Sequence, residues 1–530
     1  MGAPRSWRRL GFVTALALLA GGLTPDVAHA KKKRAPEPAA EEEEPALPTL
    51  EERQEVFGDI DAAYKAGRLK EVADLLIEVV EDPTKDRFHA ESYARLGGVF
   101  EKLDLPYAAL IAHERALATD AEMVPASAKA ALALADKVGD TALLEETFAT
   151  NVGLDVSAKT RSRMAYLAAR ESHRKGQHIV ALTILKMVDK DDPYFPEAKS
   201  LQGVLLNLRD KPEQSLAPFL TAQAAGAAAN RGQEFNDILV LNLARAYYAA
   251  GNYPKAVEYF AQLSRGSRLW PEAQFERAWA HFRMEDMTGA LALLQNHTSP
   301  FFEEWYFPEA ELLRVHSLFL MCKFPEATKQ IESFRADYTP KQATLKQVAG
   351  TAPDELFTQM RSHIDKGSST LPRMITWRYE AQARFLDSLG AVKQAEDELK
   401  RVQNVSANPF TEWASDQVSA RRDALIRAEG QRIQDKAADM EALLGQMLSD
   451  AEMAKLDMLQ FETRLYEQAS VRGDMLDTRD TVVRKKRVKK GYRQWDYQGE
   501  YWQDEVGYFR VNAKPDCPAG MSVGGDGGGR

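Results

Sequence analysis

The chain has 530 residues, with 69 Lys and Arg against 78 Asp and Glu, and only two cysteines. The resulting charge of −9 argues against general nucleic-acid binding, and two cysteines cannot build a fold. No stretch after the N-terminal leader reaches the ~18 apolar residues of a spanning helix, so no transmembrane span is expected.

Residues 1–30 read as that leader. Arg5, Arg8 and Arg9 precede an apolar run over residues 10–23, and Ala28-His29-Ala30 fits a small-residue cleavage site. This predicts a secretory signal peptide; Arg8-Arg9 is a weak twin-arginine signature, and ordinary Sec export is the default. Cleavage leaves 66 basic against 77 acidic residues, −11. No cysteine near the cleavage site offers a lipid anchor. Residues 31–48, KKKRAPEPAAEEEEPALP, hold a basic run, four prolines and an acidic run, with nothing apolar to bury. That composition predicts a disordered linker.

Residues 49–404 carry a repeated helical-hairpin pattern. In its clearest copy, residues 237–271, Leu243, Ala244 and Tyr247 share one face of a first helix. Gly251-Asn252 makes the turn, and Tyr253, Ala256, Phe260 and Leu263 share one face of a second helix. The small Ala256 sits where two helices must approach closely. Equivalent positions are Val72, Ala109, Leu143, Ala181, Ser215, Ala290, Ala327 and Ala395, spaced by 34 to 41 residues and finally by 68. Twelve residues upstream of the nine markers lie Ile60, Gly97, Ala131, Ala169, Gly203, Ala244, Ala278, Val315 and Ala383. Nine matches in register resemble the tetratricopeptide (TPR) repeat, a hairpin of about 34 residues. The expected fold is all-α: a TPR-like helical-hairpin solenoid of about nine hairpins, then a long C-terminal helix and a short aromatic-rich tail. The alternative is a generic helical bundle whose alanines fall in register by composition. Residues 224–231, AAGAAANR, predict a loop or an extended helix end. Residues 338–369 hold Pro340, Gly350, Pro353 and Gly367 around a helical piece at 354–364, which predicts an irregular segment and a joint in the solenoid.

The TPR resemblance implies a concave binding face lined by the first helix of each hairpin. Arg163, Tyr166, Arg170, His173 and Arg174 fall on it in one repeat, and Arg245 and Tyr248 in another. Glu272, Phe275, Trp279, Phe282 and Arg283 follow in the next, then His316 and Phe319. A basic section beside an aromatic one suits a peptide with acidic and apolar side chains, because Arg and aromatic anchors dominate binding energy. The competing reading packs these aromatics against a neighbouring helix, a loop or the C-terminal helix. The Lys and Asn carboxylate clamp of chaperone adaptors does not occur, so a chain-terminus receptor is not implied.

Over residues 408–475, Ile426, Ile433, Met440, Met447, Ala454 and Phe461 recur every seven. Ala437, Leu444, Ala451, Met458 and Leu465 recur between them. This predicts a long helix with one apolar seam, which packs either on the solenoid or on a second copy. Gly430 and Gly445 weaken it. Residues 476–530 form a basic, then aromatic tail: Arg484, Lys485, Lys486, Arg487, Lys489 and Lys490 precede Trp495, Tyr497, Tyr501, Trp502, Tyr508 and Phe509. Docking onto an acidic protein, this one included, is the preferred reading; peripheral contact with an anionic membrane is the other. Export and acidity argue against nucleic acid. Cys322 and Cys517 can pair in an oxidising compartment, but the preferred reading makes Cys322 a small apolar residue buried in a repeat helix.

Nine scattered histidines, no HExxH, no phosphate loop, no nucleophile elbow and no Rossmann fingerprint predict no enzyme, no metal and no cofactor. His173 and His178 fall on different helices, and Glu145-Glu146 and Glu303-Glu304 read as solvated faces. The tail QWDYQGEYWQDEVGYF, behind a leader, a linker and TPR-like repeats, resembles TPR proteins of the myxobacterial cell envelope, particularly those of adventurous gliding motility. That resemblance implies a periplasmic or outer-membrane-associated scaffold joining other envelope proteins. A periplasmic chaperone or assembly factor for outer-membrane or secretion components is the second reading. A glycan-active solenoid enzyme is the third.

Overall fold

The computed structural model describes residues 49–302, 305–472, 499–502 and 505–517. The leader, the linker, the basic run at 484–490, Trp495, Tyr497 and the pair Glu303-Glu304 lie outside them. Among the described residues there are twenty α-helices, short 3₁₀ turns and no strand. The first nine are α1 Leu50–Lys65, α2 Leu69–Glu81, α3 Asp86–Lys102, α4 Pro106–Asp120, α5 Ala126–Val138, α6 Glu145–Thr150, α7 Ala158–Arg174, α8 His178–Ile184 and α9 Phe195–Leu208. Then come α10 Pro212–Ala228, α11 Gly232–Ala249, α12 Tyr253–Phe260, α13 Trp270–Arg283, α14 Met287–Leu294, α15 Pro308–Leu320, α16 Phe324–Ala349, α17 Pro353–Lys366 and α18 Arg373–Tyr379. The last two are α19 Ala383–Gln403 and α20 Pro409–Arg472.

Helices α1 to α16 follow one another as eight helix–turn–helix pairs with a shared pattern of buried markers. Every first-helix marker from Ile60 to Val315 is buried. So is every second-helix marker from Val72 to Ala327 except Leu143. The third hairpin breaks there: a 3₁₀ turn, Thr141–Leu144, leads into the short α6, and Leu144 and Phe148 fill the gap. Each hairpin turns through one residue in the left-handed region, two places after its first helix, or one place in the third hairpin. These are Gly67, Asp104, Gly139, Gly176, Asp210, Gly251, Glu285 and Cys322, with φ between 56° and 79°. An αL residue closes a helix end by returning its N–H to the last carbonyls; Gly251 N–H, for example, reaches Tyr248 O at 2.9 Å. The chain start is fixed equally locally. Thr49 and Glu52 form a reciprocal capping box on α1, which satisfies two otherwise orphaned N–H groups.

The chain divides into two compact units, each made of separated stretches. The first holds residues 49–205 and 379–431. Its core joins the inner faces of α1 to α8 to Ala395, Leu399 and Val402 of α19 and to Phe410, Trp413, Ala414 and Val418 of α20. Trp413 stacks on Phe100 at 5.4 Å. Polar ties fix the same junction. Glu398 accepts the Tyr107 and Ala108 N–H groups at 2.8 Å, capping α4 from another helix. Asp140 is buried and receives Arg421 through two bonds of 2.7 Å as well as the Tyr107 hydroxyl. The marker Ala395 therefore belongs to no ninth hairpin. Its helix α19 packs on α4 and α5, and Ala383, the expected first-helix partner, is exposed.

The second unit holds residues 206–378, 432–472 and 499–517. The irregular segment expected at 338–369 is instead mostly helix: α16 runs 26 residues straight through Pro340, and α17 follows. What α16 gains is a long partner. Gln434 bonds Thr351 O at 2.8 Å, Glu441 bonds Gln342 at 2.9 Å, Glu452 pairs with Arg335, and Lys455 bonds Glu332 at 2.9 Å. One helix number rises as the other falls, so α16 and α20 lie antiparallel. The α20 seam is spent on this contact. Ile433, Ala437, Met440, Leu444, Met447, Ala451, Ala454 and Met458 are all buried. The seam thus packs within its own unit, which is the first of its two expected alternatives, packing against the chain's own helices. The expectation of an unpaired Cys322 fails: Cys322 occupies a hairpin turn, not a helix, and bonds Cys517.

Candidate protein-interaction surface

The expected basic section lies in the first unit, and the structure neutralises it. Arg163 is buried, with its guanidinium 3.4 Å from the Tyr194 ring centroid and paired with Asp136. Tyr166 stacks on Tyr194 at 5.3 Å, and burial pushes its hydroxyl up to about 12. Arg170 and Arg174 converge on Glu145 at 2.9 and 2.8 Å. Arg174 also meets Glu171, and Lys175 reaches Glu171 and Glu146. Glu145 is therefore a buried counterion, not the solvated face its sequence suggested. Burial, then the nearby His178 ring, hold His173 down to about 4, so it stays neutral. Of this set only Arg170 and Arg174 keep substantial exposure, with side chains 33% and 39% accessible.

The aromatic section lies in the second unit and is mostly core. Arg245 is buried between Glu272 and Glu276, bonding both Glu276 oxygens at 2.9 and 3.0 Å. Burial alone would lower its pKa; the two carboxylates outweigh that and raise it. Tyr248 packs edge-on to Tyr253, and burial raises its hydroxyl too. Phe275 is buried between His297 and Phe307. His316 is buried and held down to about 4 by desolvation. Phe319 packs on Phe324 and on Phe461 of α20. Arg245, Tyr248, Phe275, His316 and Phe319, like Arg163 and His173 above, are thus corrected from groove-lining to packing residues. The next repeat covers Arg245 and Phe275, while Tyr248 and Phe319 are covered from their own hairpins and, for Phe319, from α20. What stays on the surface is a short stripe on α13. Trp279 and Phe282 are half-buried, 5.6 Å apart and edge to face, and Arg283 is exposed. Arg283 Nε donates to the Tyr253 hydroxyl at 3.2 Å.

Part of the predicted docking tail is in place. Tyr501 accepts from Gln295 Nε2 at 2.8 Å, while Trp502 is 61% exposed. Arg484, Lys485, Lys486, Arg487, Lys489, Lys490 and Trp495 lie outside the described residues. The sequence reading missed Val506, Gly507 and Asp516, which do most of the holding. Their only sequence signal was the glycine inside an otherwise aromatic and acidic run.

No family model matches the chain, and no curated protein matches it. Solved structures do show likenesses. One is a Rap protein complexed with Competence and Sporulation Factor, at 12% identity and TM-score 0.28, covering 72% of this chain and 99% of that one. Another is the P58(IPK) TPR domain, at 13% identity and TM-score 0.18, covering 69% of this chain and 97% of that one. A third is a circular tandem repeat protein with novel repeat topology, at 14% identity and TM-score 0.11, covering 80% and 91%. Scores this low carry no argument of their own. The class is defined by the chain's own eight hairpins and turns: a TPR-like α-solenoid with a long C-terminal helix.

Proposed function

We propose that this chain is a non-enzymatic protein–protein interaction scaffold of the bacterial cell envelope, serving a multiprotein machinery such as that of gliding motility. The observation that carries the scaffold reading is the α13 stripe. Trp279, Phe282 and Arg283 are the residue types that dominate binding hot spots, and they keep accessible surface where their neighbours are packed away. The closed Cys322–Cys517 bond supports export, since disulfides persist in oxidising compartments, and the expected leader at residues 1–30 agrees with it. The gliding assignment is supported by the tail resemblance alone.

Crosslinked pull-down from envelope fractions tests the reading, with the mature protein beside a Trp279→Ala, Phe282→Ala, Arg283→Ala variant. A short, reproducible partner list lost in the folded variant is expected. Full retention of that list would remove the stripe from the proposal. A second reading, a periplasmic assembly factor, is favoured by one observation: Ile179, Val180 and Met187 are exposed on and just after α8. It predicts a broad list of unrelated clients in the same experiment.

A further inference from the structure

The tail crosses two successive hairpins of the second unit and is held at both ends. At the near end lies the 3₁₀ turn Gln295–Thr298, which follows α14. Gly507 N–H donates to the buried Asn296 Oδ1 at 2.6 Å, and Tyr501 bonds Gln295. Val506 is buried among Tyr248, Phe260, Leu263 and Trp270, and Phe509 packs against the same cluster. Gly507 has φ +91°, and a Cβ there would fall 2.9 Å from the Trp270 ring, so the seat admits only glycine. At the far end three consecutive turn residues take hold. Met321 O accepts the Asp516 N–H at 2.9 Å, Lys323 Nζ meets the Asp516 carboxylate at 2.8 Å, and Cys322 bonds Cys517.

The position of Cys322 gives the bond its meaning. Seven of the eight hairpin turns place Gly, Asp or Glu in the left-handed position. The eighth places a thiol there, the one turn residue of the eight that can form a covalent bond to the tail, and it does so with Cys517. Cys322 is buried, whereas Cys517 is half-exposed. Exchange is therefore directed to one sulfur.

We propose that residues 505–517 are a redox-set latch, closed over α13 to α16 by the Cys322–Cys517 bond and opened by a dithiol reductant. In opening, a reductant thiolate attacks Cys517 Sγ, and Cys322 leaves as thiolate. The second reductant thiol then displaces Cys517, so the reductant ends as its own disulfide and both cysteines end as thiols. The open latch uncovers the Trp270 and Asn296 seat. This inference does not depend on the scaffold reading; a protein that captures no partner would leave it intact.

Hydrogen exchange on the full mature chain tests it, with and without dithiothreitol followed by iodoacetamide. The expected result is that the Gly507 amide exchanges at least about tenfold faster after reduction, while α13 to α16 amides and far-ultraviolet circular dichroism hold. Unchanged Gly507 exchange would overturn the proposal. Equal loosening of α13 to α16 would overturn it too, by making the bond a plain structural staple. A Gly507→Ala variant supplies the second reading of the same question. Because seat and bond stabilise each other reciprocally, its disulfide should be reduced at a several-fold lower ratio of reduced to oxidised dithiothreitol than the wild-type bond at equilibrium. An equal midpoint would mean that the seat contributes nothing to the latch.

Discussion

His173 and His316 sit in this protein as neutral imidazoles, one in each unit, and both are buried. Desolvation holds each down to about 4, against an ordinary value near 6.5. The unfolded chain therefore binds more protons than the folded one between those two values. Stability is full above pH ~6.5 and falls as pH drops toward 4, by up to about 3 kcal/mol per group. Thermal melting across pH 7 to 4 should show a steep fall in Tm, and a His316→Leu variant should show a shallower one. The same slope in the variant would mean that His316 is not among the groups responsible. Arg245 shows the same logic with the opposite outcome. Its charge survives burial because Glu272 and Glu276, one repeat further on, are buried with it.

Helix α20 has a seam only because α16 runs long enough to receive it. The five ties from Thr351–Gln434 to Phe324–Phe461 extend along nearly the whole of α16. Leu444 lies at the middle of this contact and is fully buried. A Leu444→Ala substitution should cost about 3 kcal/mol, the usual range for a buried leucine being 2–5. The check is hydrogen exchange, which should quicken in α16 and α20 while α1 to α5 stay protected. Much of this element scale was legible beforehand. The alanine markers worked because close helix approach is a local size constraint, and the heptad pattern named the eight buried seam residues from Ile433 to Met458, while Ile426 and Phe461 are only half-buried and the Leu465 side chain lies outside the described residues. What covers a face was not legible. A repeat template says that Phe275 and Phe319 lie on a first helix, but not that His297, Phe307 or Phe461 will close over them. The hairpin turns were half legible: Gly67, Gly139, Gly176 and Gly251 advertise their conformation. Asp104, Asp210, Glu285 and Cys322 share it with no glycine to signal it, so the special place of Cys322 stayed hidden, and its pairing with Cys517, 195 residues away, was only the less favoured reading.

At the scale of the whole molecule, stability is a sum of local terms, because a hairpin touches mainly its neighbours. Ala256→Arg puts a large charged side chain where accessibility is zero, and overpacking alone costs about 1–3 kcal/mol. Exchange protection should fall roughly tenfold or more in α11 to α14 and remain unchanged in α1 to α7; a uniform loss would contradict the modular picture. One feature runs against that modularity. The first unit is closed by α19 and by the start of α20, which the ribosome makes only after the roughly 170 residues of 206–378. Glu398, Trp413 and Arg421 lie 260 to 283 residues beyond Val138, the end of α5, so at about 5–20 residues per second the inner faces of α3 to α5 wait some 13–57 seconds for them. Through that interval the growing chain carries an unfinished apolar surface whose lid is not yet made. The time spent uncapped, and not only the strength of contacts in the finished fold, then bears on how much of the protein is lost to aggregation before it is whole.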